Sequence, residues 1–465
     1  MKFIYGEVIK KVEILDMTVE GKCVAKPEGR VVFVTGVAPG DIVDVKVFGR
    51  DKKFLEAEPV FFHKYSQMRT QPVCKHFGTC GGCKWQHIQY ESQLFFKEKQ
   101  VKDALERIAK VPFPDIKPII GSEQTLFYRN KLEFTFSNKR WFEKKNENNE
   151  DANALGFHIP GRFDKILDIE TCYLQTELIN TIRNGLKQFA LDNKLTFFDV
   201  KLQNGLLRNV MFRTGSNEQL MVMVQFFENN SSQIELVLEY LKTSFPQITS
   251  LMYVVNSKRN DTFHDLEVIR YHGNDHIIEQ MHELKFKIGP KSFFQTNSKQ
   301  ALLLYEKAIA LAELSKEQVL YDLYTGTGTI ALFAAKYVKK VVGIEYVPMA
   351  VEDAIINSKA NNILNSSFFS GDMAKILNAD FVNKNGKPDV IITDPPRAGM
   401  HDDVIKMLLQ IKAKTIVYVS CNPATQARDL SLLHPVYKIT EAQPVDMFPQ
   451  TAHVENIVKL ELANS

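Results

Sequence analysis

Tryptophan is nearly absent from this chain, at 2 of 465 residues, and only 6 cysteines are present. Six thiols are too few to staple a chain of this length. They suit ligands or catalysts in a reducing compartment better than disulfides. No run reaches the ~18 apolar residues of a membrane span, and the opening Met1–Glu7 has no apolar signal core. A cytoplasmic location with no membrane partner is expected, and nothing points to an obligate protein partner. Strong charge of one sign is missing too. Lys and Arg total 58 against 55 Asp and Glu, a net charge of +3, too little by itself to argue for nucleic acid. No internal repeat and no low-complexity tract is visible. What remains is an ordinary globular composition, 45% hydrophobic and 24% charged, with length for about three domains at ~150 residues each.

The first stretch, to about residue 61, reads as a small β-barrel. Val8–Ile14, Val31–Val34 and Ile42–Phe48 are strand-like and are separated by glycine turns at Gly21, Gly29, Gly36, Gly40 and Gly49. Lys46, Arg50, Lys52 and Lys53 beside Phe48 and Phe54 are compatible with nucleic-acid contact or with a plain solvated face. Cys74, Cys80 and Cys83 then fall within ten residues among glycines, and Cys172 is the next thiol in the chain. Four cysteines suit an iron–sulfur cluster or structural zinc, and His76 or His87 would allow a three-cysteine, one-histidine zinc site. Ser92–Lys110 has helical periodicity, and Pro112 and Pro114 mark a linker. Residues 118–288 alternate strands with polar loops. The charged run Glu143–Asp151 reads as a solvated tip, and Phe127–Lys131 as either a base-stacking surface or an ordinary strand edge.

From about residue 289, strands and helices alternate, implying a mainly parallel sheet. Val319–Tyr324 opens into the glycine loop Gly326-x-Gly328, and Val341–Glu345 ends on an acid. Phe368–Asp372 is the third strand, and Asp389–Thr393 empties into Asp394-Pro395-Pro396-Arg397. Thr415–Val419 presents Cys421 in a turn made by Asn422 and Pro423, and Val436–Ile439 and Glu455–Leu462 complete seven strands. Chemistry in open α/β sheets sits at strand carboxyl ends, which makes Cys421 a candidate nucleophile. The glycine loop with Glu345 fits a dinucleotide or S-adenosylmethionine. The Asp-Pro-Pro loop favours the latter, because fixed prolines stiffen a loop over a methyl acceptor.

Phe293–Asn297, Asp322–Thr329, Asp394–Arg397, Ser420–Pro423 and His453–Glu455 together resemble the RNA uracil-C5 methyltransferases, over essentially the whole chain. One departure is Thr325, where members often carry cysteine. The resemblance implies a multidomain fold. Residues 1–61 would be an OB-like TRAM barrel, and 62–91 with 118–288 a central α+β domain for the cluster and RNA. Residues 92–117 with 289–465 would be a Rossmann-like class I methyltransferase domain, the 92–117 helix packing on it. It implies Cys421 as nucleophile and Glu455 as base. Gln295, Tyr324, Thr329, Glu345, Asp372 and Asp394 would line the S-adenosylmethionine site, with Glu345 on the ribose, Asp372 near adenine and Asp394 bordering the base. Cys74, Cys80, Cys83 and Cys172 would hold a [4Fe–4S] cluster. The expected substrate is RNA, 23S ribosomal RNA first and tRNA as the alternative. Two other readings stand beside it, a non-catalytic RNA-binding protein on a methyltransferase fold and an amino-methyltransferase that needs no cysteine.

Overall fold

The computed structural model describes residues 5–51, 53–142 and 152–463. The run 143–151, expected as a solvated tip, and Lys52 lie outside the described residues.

The first sheet has six strands, from Val8–Glu13 to Phe54–Lys64. In Ile42–Arg50 the side chains of Val43, Val45 and Val47 alternate inward and are buried. Their core is shared with Trp85, Ile88 and Phe96, so the barrel rests on the segment that follows the cysteine cluster. Phe48 is 40% exposed, whereas Phe54 packs edge-on against Phe33.

A second, seven-stranded sheet spans Lys131–Gly273. One face buries Phe134, Phe136, Phe212 and Val224 under the helices Glu177–Asp192 and Ser231–Ser244. From the other face, Met211, Met223 and Met252 join the core of the next domain.

The catalytic-side sheet has seven strands: β1 (Val319–Leu323), β2 (Lys340–Glu345), β3 (Ser366–Ser370), β4 (Val390–Thr393), β5 (Thr415–Ser420), β6 (Tyr437–Val445) and β7 (Glu455–Leu462). Their order is β3-β2-β1-β4-β5-β7-β6, parallel except for β7, which runs antiparallel to both β5 and β6. β4 and β5 are nearly continuous β-branched runs because both their faces are covered, while β1 is apolar apart from buried Asp322. β6 extends six residues past the expected Ile439, through a register irregularity between Ile439 and Glu441. The expected helix at Ser92–Lys110 is Tyr90–Ala104 continued by a widened turn, Leu105–Ala109, and ends in left-handed Lys110. Val101, Ala104, Leu105 and Ala109 bury against Tyr321, Tyr418 and Leu430 of the sheet layer.

Candidate active site

Three loops at the carboxyl ends of β1, β2 and β4 meet the turn after β5. β1 stops because Tyr324 turns the chain at φ 63°, a strained left-handed position. Beneath the loop, buried Asp322 accepts hydrogen bonds from the Thr325 hydroxyl and, at 3.0 Å, from Ala331 N–H. Burial pushes its carboxyl up to about 7. Gly328 has φ 81°, and a Cβ there would lie 2.9 Å from Ala354 Cβ and 3.2 Å from the Phe368 ring. Only glycine fits. Glu345, ending β2, spans two loops: Oε2 accepts from Gly326 N–H at 3.0 Å and Oε1 from Val347 N–H at 2.9 Å.

The remaining expected cofactor residues are placed less alike. Thr329 opens the helix after the loop and is buried, its hydroxyl 3.3 Å from that of Thr327. Gln295 precedes the helix Ser298–Ala312, and its backbone carbonyl accepts from the Asn130 amide at 2.9 Å. Asp372 is exposed and caps the short helix Met373–Ile376, accepting from Ala374 N–H at 3.1 Å. Here it acts as a helix cap.

Sheet register brings the other three groups together. Ser420 of β5 pairs with Asn456 of β7, so the next positions outward are Cys421 and Glu455. Thr393 of β4 pairs with Tyr418, which sets Asp394 beside the end of β5. Glu455 is buried and Cys421 partly so. Burial pushes the Cys421 thiol up to about 11, with Glu455 and Asp394 adding to the rise and Arg397 opposing it. Burial also holds the Asp394 and Glu455 carboxyls well above the usual carboxylate range, Asp394 raising Glu455 further. Such a group is a stronger base than an exposed carboxylate. Asn422 fastens the two loops: its amide donates to Arg397 O at 3.1 Å, and its carbonyl accepts from Ala424 N–H at the start of the helix Pro423–Leu433.

Sequence reasoning missed what holds this array. The loop 446–453, between β6 and β7, leads directly into Glu455. Asp446 forms a buried ion pair with Lys97 at 2.5 Å and accepts from Tyr90 OH at 2.8 Å. Asn297 donates to Met447 O, Tyr128 to Pro449 O, and the N–H groups of Lys84 and Trp85 both to Gln450 O. Phe127–Lys131, read as a stacking surface or a strand edge, leads into the strand Lys131–Ser137 and ties it to the loop 446–453 and to Gln295. Tyr128 and Asn130 are buried, and Phe127 keeps 39% exposure.

Cys80 and Cys83 pack against the core that contains Cys172, and Cys74 lies near enough to act electrostatically on all three. Burial is the main cause raising Cys80 to about 11, Cys83 to about 12 and Cys172 above its ordinary value, and each is raised further by its neighbours in the set. Donors face the sulfurs: Gly82 N–H on Cys80, the Gln86 amide on Cys83, and Leu174 N–H on Cys172. His76 Nε2 accepts instead from Glu170 N–H at 3.2 Å, and His87 Nε2 lies 3.1 Å from Val37 O. Among the described residues no group of three His, Cys, Asp or Glu is arranged around a single metal ion.

Family comparison matches residues 89–463 to the tRNA (uracil-5-)-methyltransferase family and residues 6–60 to the TRAM domain. The chain belongs to the tRNA (uracil-5-)-methyltransferase family. An uncharacterized RNA methyltransferase of Bacteroides thetaiotaomicron is 52% identical over 453 residues, covering 96% of this chain and 100% of the relative. Another, from Chlorobaculum tepidum, is 39% identical over 469 residues, covering 98% of this chain and 97% of the relative. Among solved structures, the Pyrococcus abyssi tRNA (uracil-54, C5)-methyltransferase in complex with S-adenosyl-L-homocysteine is similar at a TM-score of 0.77 and 29% identity, covering 97% of this chain and 100% of that one. This methyltransferase therefore has the class I methyltransferase fold behind an N-terminal TRAM domain. Its activity is the S-adenosylmethionine-dependent methylation of uracil C5 in RNA. No helix among the described residues is long and apolar enough to cross a membrane.

Proposed function

We propose that this methyltransferase modifies a uridine of 23S ribosomal RNA through a covalent bond between Cys421 Sγ and uracil C6. The observation that carries the reading is the β5–β7 register, which sets Cys421 against Glu455 with Asp394 alongside. Uracil C5 is a weak nucleophile. The Cys421 thiolate adds to C6, and the electron pair of the C5–C6 double bond moves onto C5 and O4. S-adenosylmethionine, which Gln295, Tyr324, Thr329, Glu345, Asp372 and Asp394 would hold, would supply the electrophilic methyl carbon; as C5 takes it, the methyl–sulfur bond breaks and S-adenosylhomocysteine leaves. Glu455 then takes the C5 proton, the double bond re-forms, and the thiolate leaves. Burial suits Glu455 to this step because it strengthens the base. The base must leave its stack to reach Cys421.

The cofactor residues fit S-adenosylmethionine in their chemistry. Glu345 offers a carboxylate to ribose hydroxyls beside a glycine loop whose backbone can be closely approached. Four mutually close thiols, three of them with N–H donors, suit a [4Fe–4S] cluster, and the two histidines, bonded elsewhere, speak against a three-cysteine, one-histidine zinc site. Such a cluster would supply a rigid tie between the 74–83 loop and the Cys172 segment. The division into barrel (1–61), central domain (62–91 with 118–288) and methyltransferase domain (92–117 with 289–465) follows from the same reading, as does action in the cytoplasm.

A tRNA substrate is the second reading, favoured by the family's description and by the Pyrococcus abyssi neighbour. Nucleoside mass spectrometry of rRNA and tRNA from a deletion strain separates the two. Loss of 5-methyluridine from one mapped 23S position supports the first, and loss confined to tRNA overturns it. An amino-methyltransferase would keep its activity in Cys421→Ala.

A further inference from the structure

We infer that a cleft on the central sheet, away from Cys421, binds a second unstacked base of the RNA. The inference rests on the RNA-methyltransferase reading and concerns how the substrate is held. The cleft has a volume of about 200 Å³. That lies below the ~300 Å³ at which pockets for whole small molecules begin, so it takes one planar ring rather than a nucleotide cofactor.

Its floor is the sheet face carrying Thr135, Ser137 and Asn209, and its walls are Phe198 and the hairpin residues His158 and Phe163. The same face, further along these strands, meets the methyltransferase domain, where Arg213 donates to Gly289 O and Ser292 O. An RNA strand held over Cys421 can therefore continue across this sheet.

Two features point to a nucleobase. Phe163 is 70% exposed although it borders a cavity, on a hairpin tip whose turn is made by Gly161 at φ 76°. Leaving a phenyl ring in water costs about as much as burying it would gain, and a base stacked on it recovers that cost. Asn209 is 4% exposed and spends one amide hydrogen on Glu133 at 2.6 Å, which fixes its orientation and leaves its carbonyl oxygen as an acceptor for a base edge. The charges around the opening suit a phosphate backbone. Arg259 lines the cleft, and Arg162 and Lys165 flank Phe163 in the chain. Asp164 is neutralised by its ion pair with Lys201, and Arg208 is satisfied by the backbone carbonyls of Asn256, Lys258 and Arg259. Asp261 is the remaining acid of the lining.

The test uses the full chain, unmodified 23S rRNA and tRNA transcripts, and three variants: Phe163→Ala, Phe163→Trp and Arg259→Ala. Both sites are exposed, and thermal melting checks that folding is unchanged. For the RNA that is methylated, Phe163→Ala should raise KM about tenfold, the loss of one base stack. Its kcat at saturating RNA and its affinity for S-adenosylhomocysteine should stay unchanged, and Phe163→Trp should restore KM. Ultraviolet cross-linking should join RNA to the peptide that contains Phe163. Methylation with unchanged KM in Phe163→Ala and no cross-link there overturns the cleft while leaving the function intact. A cross-link at Phe163 in a protein that methylates neither transcript supports the cleft and overturns the proposed function.

Discussion

At the scale of single residues, the candidate site concentrates negative charge around a thiol. Cys421 is raised to about 11 by burial and by the carboxyls of Glu455 and Asp394. Alkylation of Cys421 by iodoacetamide, followed by peptide mass spectrometry, should therefore speed up about tenfold per pH unit through the neutral range. Asp394→Asn should accelerate it at fixed pH and Arg397→Ala should slow it; equal rates in both variants would contradict the assigned neighbours. Stability should respond in the opposite sense. Asp394 and Glu455 hold protons more tightly folded than unfolded, so their contribution is fully present at low pH and is lost as pH rises from about 4 through neutrality. Asp394→Asn should thus melt higher than wild type at about pH 8 and nearly alike at about pH 5. A lower melting temperature at the alkaline end would show that the carboxylate is stabilised by a partner instead. The places of Cys421 just after β5 and of Glu455 at the start of β7 were legible in sequence because motifs mark strand ends. Asp322 was visible only as part of a motif, since its importance lies in burial under the loop, which a linear chain does not display.

At the scale of elements, strands of the catalytic sheet could be read directly, because strands buried on both faces, β4 and β5 above all, are short apolar runs rich in β-branched residues. Boundaries were less legible. The helix expected at 92–110 starts two residues earlier and widens at Leu105, where packing against the sheet layer outweighs local periodicity. The stretch 446–452 gave no signal of its anchoring role, since Asp446's partner Lys97 lies 349 residues away. That pair is fully buried, so breaking it is costly. Lys97→Met should destabilise by about 3–5 kcal/mol in denaturant titration, because Asp446 is left as a buried, unpaired charge. Lys97→Met with Asp446→Asn should recover most of that loss, since no charge is left unpaired and the single amide oxygen can still accept from Phe448 N–H. A double variant as unstable as the single one would show that the pair acts through something other than charge compensation.

At the scale of the whole molecule, three distant segments converge on one loop. Tyr128 comes from the run just before the central sheet, Lys84 and Trp85 from just after the cysteine cluster, and Lys97 from the helix on the catalytic layer. The segment that follows Cys83 is therefore hydrogen-bonded to the loop that leads to Glu455. Protein purified without oxygen should hold about four irons and four acid-labile sulfides per chain. Stoichiometric zinc without sulfide would contradict the cluster assignment. A TRAM domain ahead of the methyltransferase region was legible from composition and motifs, but this convergence was not, because it depends on contacts between segments far apart in the chain. The central claim is that Cys421 and Glu455 act at opposite ends of one covalent cycle. The direct measurement incubates Glu455→Ala with substrate RNA and methyl-labelled S-adenosylmethionine, then runs denaturing gels after boiling in detergent. A slow-migrating, label-bearing protein–RNA band that disappears in the Cys421→Ala, Glu455→Ala double variant is the predicted result. Normal turnover by Glu455→Ala, or a stalled enzyme carrying no covalent RNA, would contradict it.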